Sequence, residues 1–97
     1  MRIISRKTLL DFWTRHADAK QALTAWHFEV KHVTWRCPAD VVARFPYVSV
    51  LPNDRLVFNI KGNAYRLVVA VNYGTGIVYV RFVGAHAEYD RVDAETI

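Results

Sequence analysis

From Thr8 onward the apolar residues of this chain recur at helical spacing, and from Tyr47 onward at strand spacing. Leu9, Trp13 and Ala17 share one side of a helix predicted over Thr8–His16. Asp18 then reads as the N-cap of a second helix, from Ala19 to about Val33. On it Leu23, Trp26, Val30 and Val33 follow the 3, 4, 3 spacing of a buried stripe, while Lys20, Thr24, His27 and Lys31 form a polar, basic face roughly opposite. Pro38 suits the first turn of a short third helix, PADVVARF, which Pro46 stops. Trp13, Trp26 and Trp35 are expected in or beside the core.

The remainder reads as sheet. Tyr47–Leu51 and Arg55–Ile60 are strands around a Pro52-Asn53-Asp54 turn. Lys61-Gly62-Asn63 is a tight hairpin loop in which Gly62 takes a positive φ. Tyr65–Tyr73 and Ile77–Val83 form the next hairpin around Gly74-Thr75-Gly76, and Arg2–Ile4 is a short edge strand. Short hairpin loops join antiparallel neighbours. The expected class is α+β, with N-terminal helices on one face of a small antiparallel sheet and a short C-terminal helical turn. No composition shift, repeat or linker interrupts residues 1–97, so a single domain is expected. A three-residue loop at 74–76 would pair Tyr73 with Ile77, Val68 with Phe82 and Arg66 with Gly84. Arg66, Gly84 and His86 then share a face, the glycine leaving space between guanidinium and imidazole, and Arg81 falls on the opposite face.

Composition narrows the function classes. A hydrophobic fraction of 53% and an aromatic fraction of 13% exclude a disordered tail. The net charge of +4 is a mild bias towards a polyanion or an acidic partner. Cys37 is the only cysteine, so an intrachain disulfide is impossible and a cysteine zinc site lacks ligands. No apolar run reaches membrane-spanning length, and a cytoplasmic protein without membrane association is the default expectation.

The candidate chemistry lies where the last strand runs out, in FVGAHAEYDRVD. In a helical turn there, His86, Tyr89 and Asp90 fall at i, i+3 and i+4, and Arg66 arrives from the neighbouring strand. Imidazole is matched to proton transfer near neutral pH, and arginine offers a permanent forked charge for phosphate. A phenol stacks on bases or serves as a high-pKa acid. Together these groups suit RNA cleavage without a metal, in which the ribose 2′-OH attacks the adjacent phosphate; DNA lacks that nucleophile. Taken one at a time, a histidine after a strand is ordinarily a surface residue and a strand arginine an ordinary ion-pair partner. His86, Glu88 and Asp90 do not converge as metal ligands on a helix.

FNIKGNAYRLVVAVNY, followed by VYVRFVGAHAEYDRVDA, resembles the signature of the HigB family of bacterial toxins within the RelE-like superfamily. The family's F-N-I/V-x-G-N-x-x-R-L and G-T-H-x-x-Y-D patterns are matched at Phe58, Asn59, Gly62, Asn63, Arg66, Leu67, Gly84, His86, Tyr89 and Asp90. Trp35, Pro38 and Asp40 match an upstream W-x-x-P-x-D run, and the chain departs from the pattern at Ala85, where the family usually has Thr. The resemblance covers essentially the whole chain. It implies a toxin of a type II toxin–antitoxin pair that cleaves mRNA on translating ribosomes and needs no cofactor. Its partner would be a HigA-like helix-turn-helix antitoxin that makes the operator DNA contacts. His86 and Tyr89 would then divide acid and base work, Arg66 would hold the scissile phosphate, and Asp90 would orient Arg66 or His86. Lys61 and Asn63 would contact phosphate or a base edge, and Lys20, His27 and Lys31 would face ribosomal RNA. Two rival classes are a non-catalytic RNA- or ribosome-binding module and a degenerate toxin that only binds its antitoxin.

Overall fold

The computed structural model describes residues 1–97. In chain order the elements are β1 (Arg2–Ile4), α1 (Arg6–Arg15), a 3₁₀ turn (Ala17–Ala19), α2 (Lys20–Lys31), α3 (Pro38–Arg44), β2 (Ser49–Leu51), β3 (Arg55–Ile60), β4 (Tyr65–Asn72), β5 (Ile77–Ala85) and α4 (His86–Tyr89). The five strands form one sheet in the order β1-β5-β4-β3-β2. Four of them make antiparallel neighbours, as their hairpin loops require. Strand β1 runs parallel to β5, so the sheet is mixed rather than wholly antiparallel. The chain between these two strands is long enough to cross over, which no hairpin loop could do.

Helices α1–α3 cover one face. Leu9, Phe12, Leu23, Trp26, Val30 and Val41 meet Leu56, Phe58, Ile60, Leu67, Val69 and Val71 in the main core. Trp26 and Trp35 are buried there, while Trp13 and Val33 pack at its edge. Leu23, Trp26 and Val30 stand on successive turns of α2, which is why the 3, 4, 3 spacing picked them out. Asp18 does not cap that helix. The cap position belongs to Ala19, with no side-chain bond, and Asp18 sits inside the 3₁₀ turn instead.

The other face is partly covered by the chain after β5. Val57, Val68 and Ala94 form a second, smaller core, with Leu51, Phe82, Tyr89 and Ile97 against it. Two polar clamps hold this segment down. Arg55 donates through Nε and Nη2 to the Ile97 oxygen at 3.0 and 2.7 Å, and Asn53 Nδ2 donates to the Glu95 carbonyl at 3.1 Å.

The β4–β5 register contains a correction to the sequence expectation. The hairpin loop has four residues, 73–76, because Asn72 rather than Tyr73 pairs with Ile77. Its turn is closed by Gly76, whose N–H donates to the Asn72 carbonyl at 2.9 Å and whose φ is +71°. Counting on from there without interruption would set Arg66 opposite Val83. A bulge intervenes: Val69 pairs with Val80, Val68 with Phe82, and Arg81 is the surplus residue. The bulge restores the expected pairs of Val68 with Phe82 and Arg66 with Gly84.

Candidate active site

Strand alternation sends Arg66 to the face away from the helices, with Asn59 of β3 and Gly84 of β5 as its cross-strand partners. Arg66 is half-buried, and its Nη1 is buried with no hydrogen-bond partner. Neither ion pair of the structure involves it, since these join Arg44 to Glu29 at 3.9 Å and Lys61 to Asp18 at 2.9 Å. An unsatisfied buried donor costs about 1–3 kcal/mol, more when it is charged. Arg66 is therefore a cation held in place by packing, without an internal anion.

Gly84 serves a different purpose from the one its sequence position suggested. A Cβ there would stand 2.6 Å from Phe82 Cζ and 3.3 Å from Glu88 Cβ. The space over this glycine is filled by the Phe82 ring and α4, not left open between Arg66 and His86. The glycine lets α4 fold back closely onto the strand.

Strand β5 ends at the extended Ala85, so simple alternation stops before His86, the first residue of α4. Glu88 turns its Oε1 back to accept the Ala85 N–H at 3.1 Å, and the Asp90 N–H donates to the His86 carbonyl at 2.9 Å. One helical turn is thus closed, as the spacing of His86, Tyr89 and Asp90 predicts. Their environments differ: His86 and Asp90 are exposed, while the Tyr89 ring packs on the Val57–Val68–Ala94 cluster. Asp90 makes no ion pair with Arg66 or His86, so the orienting contact expected of it is not formed.

Lys61 and Asn63 lie in the β3–β4 turn. Lys61 and Gly62 both take positive φ, +53° and +62°, which is unusual for lysine. The Lys61 ammonium is engaged by Asp18, and the Tyr65 hydroxyl donates to the other oxygen of that carboxylate at 2.7 Å. These donors, Tyr65 first, hold the Asp18 carboxyl below the usual aspartate range, and the same bond raises the Tyr65 phenol. Asn63 is exposed.

Lys20, His27 and Lys31 lie on α2, in the layer on the other side of the sheet from Arg66, and the fold does not bring them to it. Lys20 borders a groove with Phe28 and Arg44, whereas His27 and Lys31 border another with Met1, Arg2 and Ile3. Burial, then Arg6 and Lys31, lower the His27 pKa, so its imidazole is disposed to stay neutral.

Sequence alternation puts Arg81 on the face opposite Arg66, but the structure does not keep it there. The bulge frees it, and its guanidinium carbon lies 5.2 Å from the centre of the Tyr79 ring. Tyr79 pairs with Ala70 and Ile4, on the face that carries Arg66. A signal for the bulge exists in the sequence: inward-facing Val78 and Val80 are two apart, but the next, Val83, is three further on.

A family model described as HigB_toxin, RelE-like toxic component of a toxin-antitoxin system, matches residues 19–92. The mRNA interferase toxin HigB of Escherichia coli K12 is 29% identical over 92 residues, covering 93% of this chain and 88% of that protein. The mRNA interferases HigB of Escherichia coli O157:H7 and Shigella flexneri match with the same identity and coverage. The family match takes in the whole sheet apart from β1, together with the turn that carries His86 and Tyr89. This chain belongs to the HigB family of RelE-like toxins, the toxic components of toxin–antitoxin systems.

Proposed function

We propose that this chain is an mRNA interferase: an endoribonuclease that cuts mRNA on translating ribosomes in the cytoplasm and is neutralised by a HigA-like helix-turn-helix antitoxin. Operator DNA would be contacted through that antitoxin. The observation that carries the reading is Arg66, a half-buried guanidinium without an internal anion, one strand from the turn that presents His86. Such a cation suits a phosphate that carries extra charge in the transition state.

In this reading His86 and Tyr89 divide the proton transfers. One takes the proton from the 2′-OH; the 2′ oxygen bonds to phosphorus as the bond to the 5′ oxygen breaks; the other gives that leaving oxygen a proton. The products are a 2′,3′-cyclic phosphate and a 5′-hydroxyl, and no metal or organic cofactor is needed for the balance. Arg66 neutralises the phosphoryl oxygens throughout. Asp90, exposed and unpaired, and Asn63 are left to contact RNA. Lys61 contributes only if substrate draws it from Asp18, and the α2 face is a separate surface for ribosomal RNA.

Primer extension on a defined mRNA in a reconstituted translation system, with and without ribosomes, tests this. Ribosome-dependent cuts that disappear in both His86→Ala and Arg66→Ala are expected. Cuts that persist in both variants would discard this site, and the absence of cuts under all conditions would favour a binding-only module.

A further inference from the structure

Beyond the first residue of β2, the edge of β3 is left open. Strand β2 pairs with β3 only from Ser49–Val57 to Leu51–Arg55, so Phe58, Asn59 and Ile60 have no neighbouring strand on that side. A cavity of about 390 Å³ fills the notch, within the size range of about 300–1,000 Å³ usual for small-ligand sites. Its walls include Phe45, Val48 and Phe58, with the Phe45 and Phe58 rings edge to face at 5.1 Å. Its rim carries Arg44, Tyr47, Asn59 and Asn63.

The rim residues are exceptional within this chain. Of its tyrosines, 65, 73, 79 and 89 are all half-buried, whereas Tyr47 is 85% exposed. Of its asparagines, Asn53 and Asn72 bond the backbone of their turns or of the C-terminal segment, whereas Asn59 and Asn63 have no such bond. An exposed aromatic ring and two unengaged amides therefore meet at one apolar slot. Arg44 adds a cation whose pair with Glu29, at 3.9 Å between exposed side chains, holds it weakly.

A slot with apolar walls, a ring free to stack and amides free to pair suits a flat heterocycle with donors and acceptors along its edge. We propose that this notch is a nucleobase-binding pocket for single-stranded RNA. It receives a base close to the cleaved phosphate, which rests on the nuclease reading above. Asn59 stands directly opposite Arg66, and paired strands lie about 4.7–4.9 Å apart, so pocket and phosphate site are one strand apart. Tyr47 stacks on the base, Asn59 and Asn63 read its edge, and Arg44 meets a flanking phosphate. A peptide added to the β3 edge would use main-chain bonds instead and would leave both amides idle.

The test uses a single-stranded 2′-O-methyl oligonucleotide carrying 2-aminopurine, which cannot be cleaved by this route, together with mapping of cleavage sites in the translation system. Wild type and His86→Ala should quench the fluorophore with similar affinity. Tyr47→Ala should weaken binding about ten-fold or more, as loss of a stacking platform does. Asn63→Ala should flatten any base bias in the cuts. Wild-type cutting with the same affinity and bias in both Tyr47→Ala and Asn63→Ala overturns the pocket and leaves the nuclease intact. If wild type cuts nothing, Tyr47-dependent quenching still upholds the pocket, and quenching indifferent to Tyr47 overturns it.

Discussion

Tyr89 combines two jobs that one substitution can separate. Its ring belongs to the small core with Val57, Val68 and Ala94, while the proposed proton transfer uses only its hydroxyl. Tyr89→Phe should keep thermal stability near wild type and lower the cleavage rate about 10²-fold or more, the scale of one acid–base group. Melting curves and single-turnover rates would check both halves; unchanged cleavage would return Tyr89 to packing alone. Asp18 sets a second expectation at this scale. Because its folded pKa is depressed by Tyr65 and Lys61, its contribution is present above the ordinary aspartate pKa and lost as pH falls through the folded value. Tyr65 carries the reverse sign, its pKa being raised, so its part of the bond is lost as pH rises through the folded phenol value. Asp18→Asn should flatten the acid limb of Tm against pH below about 4, and an unchanged limb would mean that the link adds nothing measurable.

Among the elements, β5 decides the site. Its surplus residue, Arg81, sits where Val80 and Phe82 already pair with consecutive residues of β4. Deleting Arg81 should therefore leave a regular strand with Arg66 still opposite Gly84, and Tm should move by no more than a few degrees, equivalent to about 1 kcal/mol. Deleting Val83 instead makes Phe82 and Gly84 adjacent, so one of them must turn to the helix side, and should prevent folding. Equal tolerance of both deletions would contradict the bulge. Gly84→Ala probes the close approach of α4. Its Cβ must displace the Phe82 ring, 2.6 Å away, and overpacking of this kind costs about 1–3 kcal/mol. A Tm within error of wild type would show that the ring yields without cost.

At the scale of the molecule, the sheet is a partition. Its helix side supplies most of the buried apolar surface, and its other side carries Arg66, Arg81 and the segment that ends at Ile97. That segment is held by a small core and by Arg55 and Asn53, so it is the part expected to open first. Arg55→Ala should speed amide hydrogen exchange across residues 86–97 while leaving α2 and β4 protected. Uniform exchange in both would mean that the segment and the main core open together. No helix is long and apolar enough to cross a membrane.

The periodicity of the chain was sufficient for the helices, the hairpins, the α+β class and the buried stripe of α2, because these depend on neighbours a few residues apart. It also identified the turn of His86, Tyr89 and Asp90, whose spacing is local. Only the tertiary structure decided the parallel placement of β1 and the use of Asp18 as an anchor for Lys61 and Tyr65, since both join residues far apart in sequence. The expected pairing of Arg66 with Gly84 rested on a three-residue loop; in the structure a longer loop and a bulge offset each other by one residue. Side-chain alternation reports the face of a residue only while the strand is regular, and it is at Arg81 and after Ala85, where regularity ends, that folding set the surface of the candidate site.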